Sequence, residues 1–190
     1  MTPELGAGQS YGEMAAELIR AYVRAPVQLL VLAYAVPDVA PGRSTATYLS
    51  HVTPGRPLAF TVCDQGAATA FTGLQLIRDF AVRSALLVLV EQSALGHRPV
   101  RPAPVPDRHT AVLLRCDRPA AGARQLTDVR VRAGVSAADA DLAIKTEFGA
   151  DEVVASWWDL PERGTGRTVV ATHDPTLDYL GVAVLAGAPC

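Results

Sequence analysis

The sequence predicts an α/β fold, and three observations carry that expectation. Apolar runs at 27–35 and 83–91 have the length and the Val/Leu richness of strands covered on both faces. Between them, Pro57-Leu58-Ala59-Phe60-Thr61-Val62 runs into the polar corner Cys63-Asp64-Gln65-Gly66. Small and apolar residues at helical spacing follow through Leu74, Ile77 and Phe80, completing a strand, a sharp turn and a helix. Strands alternating with helices in this way imply parallel pairing through crossover connections.

The 190 residues suffice for one good core, so a single domain over 1–190 is expected. Acids and bases are interspersed and nearly balanced, with a formal net charge of -2. That pattern offers no basic stripe for nucleic acid and no polybasic segment for a membrane surface. The apolar runs are too short to span a bilayer, and the amino terminus lacks the charged head and apolar core of a secretory signal, so cytoplasmic residence is the expectation. Cys63, Cys116 and Cys190 are widely spaced and odd in number, which implies neither a disulfide framework nor a zinc site. His51, His97 and His109 stand singly without metal-ligand spacing, and no cofactor or metal is expected.

Taken in order, residues 1–10 are Gly, Pro and polar, and are expected to fray. Over 11–24, Met14, Ala15, Leu18, Ile19 and Val23 alternate at helical spacing with Glu13, Glu17, Arg20 and Arg24, and Pro26 ends the helix. The strand at 27–35 leads into a Pro/Gly loop, then a short helix at 44–51 with Ser44 as its cap. The corner helix is expected over 66–81 and the next strand over 83–91. Pro99, Pro102, Pro104 and Pro106 make 93–108 a loop. A strand follows from Thr110 to Cys116, and a more exposed one over 126–131, where Leu126, Val129 and Val131 alternate with Asp128 and Arg130. In the last third, 136–139 reads as a helix entry or turn, 141–144 as a short strand and 150–158 as a helix with acids in its first turn. Strands at 168–172 and 180–185 form a hairpin with 173–179 as a long loop. No tandem repeat is visible.

The corner after Val62 is where chemistry is expected. Its residues lie at the carboxyl end of a strand and the amino end of a helix, where unpaired N–H groups and the helix dipole favour negative charge. Gly66, Ala67 and Ala68 suit a first turn packed closely against another surface, such as a second copy of the chain. A thiol at Cys63 would have a lowered pKa there and would need a base.

The succession of Leu29-Leu30-Val31-Leu32-Ala33-Tyr34 before Pro37-Asp38, Ala59-Phe60-Thr61-Val62 entering the corner, and Ala85-Leu86-Leu87-Val88 resembles the thiolase superfamily, and within it the ketoacyl synthases. Ala111-Val112-Leu113-Leu114, Val135-Ser136-Ala137-Ala138-Asp139-Ala140-Asp141-Leu142 and the closing hairpin extend the resemblance. It implies a layered α-β-α-β-α fold, here reduced in size with losses before Tyr11 and between Gly122 and Gly134, and a dimer formed along the strand preceding the corner. It also implies a nucleophilic cysteine at the corner, with a histidine and an asparagine or second histidine from the second half. Anchoring on Phe60-Thr61-Val62 puts Gly66 in the nucleophile's place, anchoring on the following small residues puts Gln65 there, and counting back from Ala85 puts Cys63 there. The family's histidine motif would fall at Lys145-Thr146-Glu147-Phe148-Gly149, which holds no histidine.

Two functions follow from that resemblance. One is a non-elongating partner, resembling a chain-length factor, that dimerises with itself or with a ketosynthase in polyketide or other specialised-metabolite assembly. The other is an acyl-thioester enzyme, performing transfer, hydrolysis or decarboxylation, with Cys63 as nucleophile, His173 as base and Asp64 or Asp174 orienting it. Gln65, Gly66 and Asp174 are the candidate substrate-binding residues, although Asp64 and Gln65 suit capping of the corner helix equally well. An acyl carrier protein or acyl-CoA is the implied acyl source. Trp157 and Trp158 are expected to anchor a helix in the core or an interface.

Overall fold

Successive side chains of the first strand, β1 (Leu29–Ala33), point to opposite sides, and all five are buried. That single fact requires a layer on each face of its sheet. The computed structural model describes residues 9–40, 44–96, 105–117, 123–149, 151–160 and 166–187. One sheet has the order β2-β1-β3-β4. Here β2 (Leu58–Val62) and β3 (Ser84–Glu91) run parallel to β1 on either side of it, and β4 (Thr110–Asp117) is antiparallel to β3. The second sheet has the order β5-β8-β7-β6, formed by β5 (Gln125–Ala133), β6 (Glu152–Val154), β7 (Thr168–Asp174) and β8 (Tyr179–Ala186).

Side-chain parity divides the core into three apolar layers. Leu30, Leu32, Leu86 and Val88 pack outward against α1 (Tyr11–Tyr22) and α2 (Thr45–Val52), through Met14, Ile19 and Leu49. Leu29, Val31 and Leu87 point inward to α3 (Thr69–Phe80), whose Phe71, Leu74 and Ile77 also meet Val129, Val170 and Ala183 of the second sheet. On the far face, Val169, Ala171, Val182 and Val184 pack against Ala140 and Phe148 of α4 (Ala137–Phe148). The result is the five-layer α-β-α-β-α order, with α3 as the central slab.

How tightly that slab is clasped shows at Gly181, where a β-carbon would lie 2.2 Å from Cδ2 of the fully buried Phe71. Phe71 is in turn held against Trp157, ring centroids 5.3 Å apart. Overpacking at a site that cannot yield costs up to about 3 kcal/mol or somewhat more. Gly181→Ala is therefore expected to lower the urea midpoint by that equivalent; an unchanged midpoint would show that Phe71 has room to move.

Several local expectations need correction. Ser10, expected to fray, is buried and caps α1 reciprocally with Glu13; residues 1–8 lie outside the described residues. Ser44 occupies the cap position of α2, but its hydroxyl meets Thr47 Oγ1 rather than a backbone N–H. Residues 141–144 are not a strand but the middle of α4, whose entry Ser136 caps by accepting from Asp139 N–H. Residues 151–158 are not a helix. They form β6, paired in parallel with β7, and a single 3-10 turn, Trp157–Asp159. The closing loop is shorter than expected, because β7 continues through His173 and Asp174 and leaves four turn residues, 175–178. Of the proline-rich loop, 97–104 lies outside the described residues, as do Cys190 and most of 161–166. Among the described residues, no helix is long and apolar enough to cross a membrane.

Candidate functional site

Because β1, β2 and β3 are parallel, their carboxyl ends all emerge on one side, and α3 begins there too. Ligand crevices in open α/β sheets form outside such ends. A cleft of about 700 Å3 lies at this place. One wall is the end of the first sheet, with Tyr34, Val36, Leu89 and Glu91; the other is Thr172 and the β7–β8 turn through Leu177. Trp157, Trp158, Val105 and Pro106 complete the rim.

The helix after the corner starts as a 3-10 turn, Gly66–Ala68, before becoming α3. This turn packs against β7 and β8 of the second sheet, so its small residues serve a contact within the chain. Gly66 has φ +50°, and a β-carbon there would lie 1.7 Å from Asp174 Oδ2. The Asp174 carboxylate thus fills the space a side chain on residue 66 would need. It is 5% exposed and accepts three backbone N–H bonds: Ala67 to Oδ2 at 2.9 Å, and Thr176 and Leu177 to Oδ1 at 2.9 and 3.0 Å. The orphan donor of the helix start is therefore satisfied from 107 residues away, and not by its neighbours. Asp64 and Gln65, read as caps, do other things: Asp64 accepts from the Cys63 thiol at 3.1 Å, and Gln65 Oε1 accepts from the Thr72 hydroxyl.

Cys63 departs from the expected activated thiol. Burial, and the Asp64 carboxylate that accepts its S–H, push its pKa up, against a smaller lowering by a hydrogen bond with Tyr34. The Tyr34 hydroxyl is itself pushed up to about 12, chiefly by burial and by Cys63. His173 sits one residue before Asp174 in β7, so its side chain leaves the opposite face of the strand. Its Nε2 lies 2.7 Å from Val135 O, which can only accept, so that nitrogen carries the proton. Asp64, Gly66, His173 and Asp174 all contribute to the cleft lining, whereas Cys63 and Gln65 are not among its described lining residues. Lys145-Thr146-Glu147-Phe148-Gly149 is the carboxyl end of α4 and its cap, also outside that lining.

The sequence reading passed over Glu91. It ends β3 beside the corner, its Oε1 accepts from Ala35 N–H at 2.9 Å, and burial raises its pKa to about 7. The available signal was an acid closing an otherwise apolar run on the same side as the corner. Trp157 is buried within the cleft wall, with an indole N–H that has no hydrogen-bond partner among the described residues.

Two stacked mixed sheets around a central helix, with a corner helix facing a closing hairpin, constitute a thiolase-like fold. Solved structures agree. The chain is similar to ChlB3, an acyltransferase, with 14% identity and TM-score 0.67 over 96% of this chain and 85% of that one. It is likewise similar to AbyA1, a tetronic acid condensing enzyme, with 17% identity and TM-score 0.65 over 93% of this chain and 87% of that one. No protein-family model and no curated protein matches the sequence.

Proposed function

We propose that the protein is a non-elongating, acyl-binding subunit that works beside a ketosynthase in polyketide or other specialised-metabolite assembly. The observation that carries this reading is the Asp174 carboxylate: it takes the space of a side chain on Gly66 and the N–H of Ala67. A corner built for thioester chemistry needs a nucleophile there and an N–H donor left open for a developing oxyanion. Here negative charge already occupies the spot. The raised thiol of Cys63 and the tethered ring of His173 support the same reading. The printed descriptions of the structural neighbours, an acyltransferase and a condensing enzyme, support acyl groups as the substrate class, delivered in this reading by a carrier protein or coenzyme A.

The partner is a second copy or a complete ketosynthase, joined along β2. That strand is the sheet edge, with Leu58 55% exposed and Phe80 43% exposed beside it. Leu58 N–H bonds to Gln28 O, just before β1, so alternation turns the N–H groups of Ala59 and Thr61 outward, available to a partner strand.

Incubation with an acyl thioester followed by intact mass measurement is expected to leave Cys63 unmodified, and sedimentation is expected to show a dimer, alone or with a ketosynthase, that Thr61→Pro disrupts. An acyl adduct on Cys63 that His173→Ala abolishes would instead establish the acyl-transferring enzyme. A monomeric chain that ignores every ketosynthase offered would remove the partner role.

A further inference from the structure

The cleft is larger than a vestige requires, and its chemistry is one-sided. Asp64, Glu91 and Asp174 line it, while no Lys or Arg stands among its described lining residues. The rest of its surface is mainly apolar or aromatic. Anions are disfavoured in such a place, because among the described lining residues only His173 could carry a positive charge, and its ring is turned to Val135 O. Asp174 has its three N–H partners and Asp64 its thiol. Glu91 differs: its side chain makes one hydrogen bond, through Oε1, leaving Oε2 without a partner among the described residues.

We propose that the cleft selects uncharged acyl groups, with Glu91 donating the hydroxyl hydrogen of its carboxylic acid to the ligand's carbonyl oxygen, and that it rejects acyl groups bearing a carboxylate. This rests on the acyl-binding reading above and names its substrate class. The groups facing Glu91 fit. Tyr11, across from it on α1, donates its hydroxyl to Val36 O and is held neutral by burial and by Glu91 itself. Asp38 on the loop after β1 accepts from Tyr11 N–H, and Tyr34 stays protonated near neutrality. Among the described residues no cation neighbours the carboxyl to draw off its proton, and burial raises its pKa to about 7. The acid form donates to a carbonyl; the carboxylate, which has only lone pairs, repels one.

Both tryptophans of the chain line the cleft, so intrinsic fluorescence reports its occupancy. The probes are the octanoyl and malonyl thioesters of N-acetylcysteamine, alike at the carbonyl and different in charge. The octanoyl probe is expected to quench saturably, with affinity falling about tenfold between pH 6 and pH 8 as an acid of pKa near 7 ionises. Malonyl is expected to bind at least about tenfold more weakly at either pH. Glu91→Gln, which keeps a donor and cannot ionise, is expected to bind octanoyl equally at both. Absence of saturable quenching, equal affinity for malonyl, or a pH dependence that survives in Glu91→Gln would each overturn the assignment. Intact mass in the same samples separates the two readings: a covalent adduct overturns the non-elongating role and leaves the Glu91 assignment standing.

Discussion

Gly66→Ala is expected to cost about 4 kcal/mol or more, a large share of the roughly 5–15 kcal/mol that holds a domain folded. Two penalties coincide. An L residue at φ +50° costs about 1–2 kcal/mol. The new methyl, 1.7 Å from Asp174 Oδ2, also forces the carboxylate off its three N–H partners while it remains enclosed, and stranded buried polar groups cost about 1–3 kcal/mol apiece. Asp174→Ala removes the obstacle, so the double variant should be more stable than the sum of the single effects by at least about 1 kcal/mol. Urea denaturation of all four proteins measures that coupling, and strict additivity would show that the two residues do not compete for one space.

Glu91→Gln is expected to act in the opposite direction, stabilising the protein at pH 8 by up to about 3 kcal/mol. The sign follows from proton uptake. The folded carboxyl's pKa is raised to about 7 from its ordinary value of 4.5, so between those values the native state binds more protons than the unfolded chain. Stability therefore falls as pH rises through that window and stays lowered above it. The glutamine retains an oxygen for Ala35 N–H and has nothing to ionise. Its advantage should close as pH falls to about 4.5, and thermal melts at pH 5 and 8 test this. A gain of the same size at both would assign the effect to packing.

Much of the first sheet was legible locally. Strands at 83–91 and 27–35 announce themselves as nearly continuous apolar runs, and α1 as an amphipathic stripe, because each pattern lies within its own segment. The second half was misread where the pattern was shared between segments. In 141–144, four residues of mixed character resembled a strand; Ala143 and Ile144 in fact continue from Ala140 toward Phe148 at helical spacing, against the far face of the second sheet. At 152–154 the acids suggested a helix start, yet Val153 and Val154 extend because β7 offers them a ladder.

What the sequence determined by itself was the α/β class and the position of the corner, since both follow from local apolar periodicity and turn chemistry; the five-layer order was implied only by the family resemblance. Only the tertiary structure decided what the corner holds: Asp174 folded into the space above Gly66, His173 turned to Val135, and Glu91 facing a cleft walled by tryptophans. Those outcomes depend on which strand face a residue leaves from and on which distant N–H groups it meets, and that is settled when the two sheets close on α3.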